Sequence, residues 1–336
     1  MKKLLIASAV SAAFAAPSGA LAQAARAPTL GQVLDASGIS MSGYLDVGYT
    51  HADRNIEGGV AGNPLVPPRV FDNQNNSFAL HQFGLSVSKL PRQGFGGLVN
   101  VTVGSDAQVI HSFPEGTGAG SSMFDVTQAY AQYAGRELTL IAGKYATLHG
   151  TEVIWSPSNT NVSRSILFGA IPFTHTGVRA TWALSDTVSL IAGVNNGWDQ
   201  VTDKNRDKTV ELGATFNPIR PLNISISGCQ DIPVGGGATT SAKYTGLAGY
   251  GSYMFAPRLR GVARVEQFDD KDGLHFGVAG TKYRELTATG AYLASDSFEA
   301  RAELRQDKAT NAVFREFDGT FSKSLMTIAV QGLYKF

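Results

Sequence analysis

Along most of the chain apolar side chains recur at every second position, the period that gathers them on one face of a strand. Val178, Ala180, Trp182 and Leu184 alternate with Gly177, Arg179, Thr181 and Ala183. Val210, Leu212, Ala214 and Phe216 alternate with Thr209, Glu211, Gly213 and Thr215, and Leu222, Ile224 and Ile226 with Asn223, Ser225 and Ser227. The sharpest case is 298–307, FEARAELRQD, because Ala, Glu, Leu and Arg are strong helix formers. A helix would set Glu299 against Glu303 and Arg301 against Arg305, two like-charge contacts costing ~0.2–0.5 kcal/mol each. A strand puts Phe298, Ala300, Ala302 and Leu304 on one face and Glu299, Arg301, Glu303, Arg305 and Asp307 on the other. Period therefore outranks propensity, and the product is a strand with one apolar and one charged face.

The same reading extends to Ser40–Thr50, Ser77–Lys89, Phe95–Ser105, Phe124–Ala134, Glu137–Tyr145, Thr187–Gly197, Lys243–Phe255, Leu259–Phe268, Lys282–Leu293 and Lys323–Phe336. In the run from Phe124 the parity is ambiguous. The total is about fourteen strands, within a range of about 12–16, each of roughly 9–14 residues, the length a tilted strand needs to cross an outer membrane. Connections alternate strictly: LPRQG, GR, LSD, NPIR, AP and ASD are short, while 51–76, 106–123, 146–175, 198–207, 232–242, 269–281 and 308–322 are long. This predicts an all-β fold, an up-and-down antiparallel transmembrane barrel with short periplasmic turns, long outer loops and both ends in the periplasm. On the apolar parity Phe95, Trp182, Phe216, Tyr292, Phe298, Tyr334 and Phe336 fall at strand ends beside the short turns, a girdle at the inner interface.

The chain begins Met1-Lys2-Lys3, continues with a mostly apolar run to Ala16, and carries Ala20-Leu21-Ala22 before Gln23. This predicts a secretory signal over 1–22, since the apolar run is shorter than the ~20 residues of a spanning helix. Residues 23–39 are then a periplasmic lead-in and 40–336 the barrel. The formal net charge of +1, with 16% charged residues, offers no basic stripe for nucleic acid. A single cysteine, Cys229, excludes an internal disulfide and CxxC-type metal clusters. The last strand presents Ile328, Val330, Gly332, Tyr334 and Phe336 on one face. That ending resembles the C-terminal signal of bacterial outer-membrane barrels, which implies recognition of Phe336 by the barrel-assembly machinery.

Residues 142–180, AGKYATLHGTEVIWSPSNTNVSRSILFGAIPFTHTGVRA, carry a more specific likeness. Gly143-Lys144-Tyr145, Gly150-Thr151-Glu152, Asn159 to Asn161, Ser163-Arg164-Ser165 and Pro172 to Gly177 together resemble the OmpL-like β-barrel porin family. The resemblance implies an outer-membrane porin and no defined substrate. The longest loop, 146–175, is also unusually apolar: Val153, Ile154, Trp155, Ile166, Leu167, Phe168 and Ile171 are costly to display to water. It is expected to fold inward as a constriction carrying Glu152, Asn159, Asn161 and Arg164; the alternatives are packing over the mouth or against a partner subunit.

With the barrel in place, the polar parity assigns Asp46, Arg179, Glu211, Arg260, Arg264, Glu266, Glu285, Glu299, Arg301, Glu303 and Arg305 to the pore lining. Arginines and carboxylates nearly cancel, so strong ion selectivity is not expected. They either set a transverse field across the constriction or pair to brace the wall. His81, His149 and His175 have serines nearby, but no GxSxG element accompanies them, and His175 reads as structural. Asp203, Asn205 and Asp207 have calcium-loop spacing, yet Lys208 and Ala214 stand where the loop needs Gly and a bidentate acid. The glycine-rich stretches 116–122 and 235–240 lack the Lys-Ser/Thr of a phosphate cradle. No metal, cofactor or catalytic residue is expected. The reading is a porin for passive diffusion of small hydrophilic solutes, embedded in outer-membrane lipid, with association into oligomers left open. The rivals are a barrel enzyme of lipase or protease type and an adhesive or structural barrel.

Overall fold

The computed structural model describes residues 28–57, 69–118, 120–203, 207–219, 222–232 and 243–336, with backbone alone for 218, 219 and 222–232. The signal expected over 1–22, Asn205, the 235–240 stretch and the Cys229 side chain lie outside the described residues. A helix, α1 (Leu30–Ser37), precedes the sheet; Thr29 and Gln32 cap it reciprocally and Gly38 ends it at φ +67°. No helix among the described residues is long and apolar enough to cross a membrane.

The rest of the regular structure is almost all strand. The strands are β1 (Ser40–Ala52), β2 (Ser77–Lys89), β3 (Gly94–Val103), β4 (Phe124–Ala134), β5 (Leu138–Ala146), β6 (Thr174–Ala183), β7 (Val188–Asn195), β8 (Lys208–Ile219) and β9 (Leu222–Ile232). Then follow β10 (Thr245–Ala256), β11 (Leu259–Asp270), β12 (Thr281–Leu293), β13 (Phe298–Ala309) and β16 (Ser324–Lys335), with β14 (Phe314–Arg315) and β15 (Phe321–Ser322) as a small ribbon in the preceding loop. Fourteen of them form one antiparallel sheet in which successive strands pair from β1 to β9 and from β10 through β13 to β16, and β16 pairs with β1, Tyr44 opposite Lys335 and Ala52 opposite Thr327. The sheet runs from β10 to β9, so its two ends are themselves chain neighbours. This is the expected all-β, up-and-down barrel architecture. Opposite walls face one another across the interior, because Asn100 on β3 and Thr289 on β12 both hydrogen-bond to one connecting segment.

One face of the sheet is apolar and exposed, the other polar and buried. On β13 the charged set from Glu299 to Asp307 is buried, while Phe298, Ala302 and Leu304 are exposed. An exposed apolar face that recurs on strand after strand suits a lipid solvent. The seven aromatics at the short-turn ends are all exposed. Phe336 caps the belt: its backbone exchanges two hydrogen bonds with Gly43, whose missing Cβ leaves room for the Phe336 ring.

Two β-bulges explain where the alternation blurs. Asp46 pairs with Gln82 and Val47 with Leu80, so His81 is the extra residue and both His81 and Gln82 point inward, buried. Asn100 pairs with Gln128 and Val101 with Val126, making Thr127 extra; Asp125 and Thr127 are both buried, and inward parity then passes to Gln128. This is the cause of the ambiguous parity after Phe124.

Candidate functional site

The connection between β5 and β6 runs through the interior of the sheet. Its apolar residues divide between two clusters. Ile154 and Phe168 pack with Phe71, from the β1–β2 connection, and with Ile110 of a short helix, α2 (Ala107–Ile110), in the β3–β4 connection. Ile166 and Ala170 pack with Ile56, Phe268, Phe276, Tyr283 and Phe314. Apolar burial is therefore what draws several long loops together at one end of the sheet.

The segment's polar backbone is bound by the wall. Glu303 accepts from the backbone N–H of Val162 (2.6 Å) and Ser163 (2.9 Å), and from the Thr289 hydroxyl (2.7 Å). Glu266 accepts from the N–H groups of Ile166 (2.8 Å) and Leu167 (2.6 Å). Arg264 donates to the Ser163 carbonyl (2.7 Å) and to Glu152 (2.8 Å), and pairs with Glu285 (3.0 Å). Arg301 donates to the carbonyls of Ser156 and Asn161; Arg305 donates to the Arg164 carbonyl and pairs with Asp307. On the far wall the Gln82 amide donates to the Ile154 carbonyl (2.9 Å), and the Trp155 indole N–H to Asn100 (3.0 Å). Irregular backbone survives at this depth because side chains replace the water its N–H and C=O groups need.

Each sequence-predicted residue has a definite place. Asp46, Arg179, Glu211, Arg260, Arg264, Glu266, Glu285, Glu299, Arg301, Glu303 and Arg305 all lie on the polar parity, and all but the half-buried Arg260 are buried. Asp46 accepts from Gln331 (2.9 Å); Arg179 forms two hydrogen bonds to Glu211 and one to the Ala146 carbonyl; Glu299 pairs with both Arg260 and Arg301. Within the segment, Glu152 accepts from the Ser165 N–H, Asn159 bridges to Val153 and Trp155, and Asn161 donates to Thr289 (2.7 Å). The Arg164 guanidinium binds the carbonyls of Val153 and Ile154 and lies over the Phe71 ring, 5.2 Å from its centroid. The charges thus meet fixed partners, and the arginines spend much of their capacity on loop carbonyls.

Sequence reasoning missed Arg69. It is fully buried, bound to Asp72, to Asp307 (2.8 Å) and to the Thr327 hydroxyl (2.8 Å), so the β1–β2 connection is also anchored inside. Burial alone raises the Asp72 carboxyl, but Arg69 and Arg305 beside it hold it below the usual aspartate range. The available signal was RVFD at 69–72, an arginine and an aspartate bracketing two apolar residues in a loop. Also missed was Asp199, whose carboxylate accepts from the N–H groups of Phe173 (3.0 Å) and Thr174 (2.8 Å); burial pushes it up to about 6 against those hydrogen bonds.

Chemistry of other kinds finds little support here. Ser105 donates to Asp106 rather than to His81, which itself contacts Asp106 at 3.3 Å, so that cluster lacks the nucleophile–base contact of a hydrolase. His175 is buried, bonded to the Gly197 carbonyl and the Thr147 hydroxyl, a structural role. Among the described residues no group of three or more His, Cys, Asp or Glu could hold a metal ion.

Comparison with known proteins places this geometry. The family described as putative beta-barrel porin-2, OmpL-like, matches residues 38–232 and 230–336. No curated protein matches the chain. Among solved structures, OprB of Pseudomonas putida is 11% identical, with a TM-score of 0.55, over 90% of this chain and 96% of that one. OccD3 (OpdP) of Pseudomonas aeruginosa is 14% identical with a TM-score of 0.47, over 89% and 91%. The OprB likeness extends to the fold alone.

Proposed function

Because the chain belongs to the OmpL-like porin family and is an outer-membrane porin for diffusion of small solutes, we propose that the 146–175 segment narrows its channel and sets which solutes pass. The observation that supports this most is the clamp on Val162, Ser163, Ile166 and Leu167, whose four N–H groups are all accepted by Glu303 and Glu266 of the wall. A segment held by bonds from β11 and β13, and by Gln82 and Asn100 opposite, keeps its position inside the sheet. Fourteen strands lie between the filled barrels of ~8 strands and the open porins of ~16, so the channel is narrow. Transport is passive diffusion of hydrophilic solutes, and the chain is not an enzyme. The eleven polar-parity residues act as wall and loop anchors in one, with Glu152, Asn159, Asn161 and Arg164 as the segment's share. We further assign Phe336, exposed at the end of the apolar belt, to recognition by the barrel-assembly machinery.

Planar-bilayer recording of the purified chain tests the reading. Discrete ohmic current steps are expected. A folded barrel that stays electrically silent while turning over lipid or peptide overturns it.

A further inference from the structure

Below the clamped segment, toward the short turns, lies a cavity of about 400 Å³ lined by Ser42, Tyr44, Ser86, Gln128, Trp155 and Ser158. Its chemistry differs from that of the wall beside it. On β11 and β13 the ions are already neutralised: Glu299 pairs with Arg260 and Arg301, and Arg301 also reaches Gln331 of β16 and the loop carbonyls. The cavity itself has one charged side chain on its lining, the exposed Lys335. What it offers is hydroxyl groups, an amide and an indole.

The indole is fixed. Its N–H donates to the Asn100 carbonyl oxygen (3.0 Å), and the Asn100 amide in turn donates to the Ser86 hydroxyl (2.7 Å). The Trp155 ring is therefore held in one orientation, with its polar edge occupied and its apolar body left for contact. The Gln128 carbonyl oxygen accepts from the Ala146 N–H (2.9 Å), which leaves its amide NH₂ to donate. Serine hydroxyls donate and accept equally well. A rigid apolar ring beside neutral groups of both hydrogen-bonding senses complements a solute with an apolar C–H face and a rim of hydroxyls. An ammonium solute would give up water there with no anionic side chain to meet it, and a carboxylate would meet only Lys335, which is exposed to water at the end of β16.

Resting on the porin reading, we infer that this chamber is a selectivity site for neutral polyhydroxylated solutes of sugar type, with Trp155 as the stacking platform. The test uses the full chain. In proteoliposomes, labelled glucose is expected to enter at least about fivefold faster than labelled glucuronate, which shares its ring but carries a carboxylate. In planar bilayers, maltotriose is expected to produce transient current blocks. Trp155→Ala should shorten those blocks at least about fivefold, and Trp155→Phe, which keeps a ring but loses the bond to Asn100, should recover part of the block lifetime. Equal entry of glucuronate, or blocks unaffected by Trp155→Ala, overturns this inference and leaves the porin standing. A folded chain that gives no current under any condition overturns the porin reading and this one with it.

Discussion

Glu303→Gln isolates the clamp on the 146–175 segment. The carboxylate accepts from the N–H groups of Val162 at one oxygen and Ser163 at the other, with Thr289 donating to the first. Glutamine is nearly isosteric but supplies only one acceptor oxygen, so one of the two backbone donors then faces an NH₂ group that cannot accept. Leaving a buried donor unsatisfied costs ~1–3 kcal/mol, and the surviving bond also loses its charge assistance, which about doubles such bonds. A loss near ~2 kcal/mol raises the population of the detached segment about 30-fold, at ~1.4 kcal/mol per factor of ten. Hydrogen exchange read by mass spectrometry should show faster exchange in the peptide spanning 162 and 163, with the β13–β16 ladder unchanged. Single-channel records should show added flicker to a larger current. Unaltered exchange at 162 and 163 in a folded variant would refute the claim that Glu303 holds the segment.

Further predictions concern the wall and the loops. Ala302→Arg places a cation on the exposed apolar face and should cost ~2–4 kcal/mol in lipid-based urea unfolding if the site lies at mid-bilayer; unchanged stability would contradict the parity. Gly104→Ala sets a Cβ at φ +135° against the carbonyl oxygens of Leu80 and His81, and should cost more than ~1 kcal/mol in the same assay. Asp72, held below its ordinary value, contributes stability that is complete above an unfolded pKa of ~3.9 and is lost as pH falls through the lower folded value. Acidification below about pH 4 should therefore loosen the Arg69-anchored loop, seen as rising protease sensitivity near residue 69, and Asp72→Asn should show that sensitivity at pH 7. Because the inner arginines meet carboxylates, the reversal potential across a salt gradient should lie near zero; strong cation or anion preference would count against the pairing.

The strand count, the long-short alternation and the polar parity were legible because a strand's period is local, and a lipid exterior with a wet interior writes it in full contrast. FEARAELRQD shows this: each of its charged residues from Glu299 to Asp307 lies buried on β13, whatever its helix propensity. The bulges at His81 and Thr127 were not legible, because an extra residue shifts parity without changing composition. The ribbon of β14 and β15 and helix α2 were missed as well, since two to four residues carry no period. The fate of the charges was half legible. Parity puts Arg264, Arg301 and Arg305 inside with nearby carboxylates, but they also bind backbone carbonyls of Ser156, Asn161, Ser163 and Arg164, more than a hundred residues away, and no side-chain pattern marks a carbonyl. Arg69 escaped for the same reason: its partners Asp307 and Thr327 are contributed by the other end of the chain.

A fourteen-stranded porin narrowed by its own 146–175 segment should widen when that segment is shortened. The most direct test is single-channel conductance of the native chain beside a variant in which residues 151–166 are replaced by a short Gly-Ser link, both folded in planar bilayers. The native chain should give small discrete steps and the shortened chain markedly larger ones. Equal steps from the two would mean that the segment does not narrow the channel.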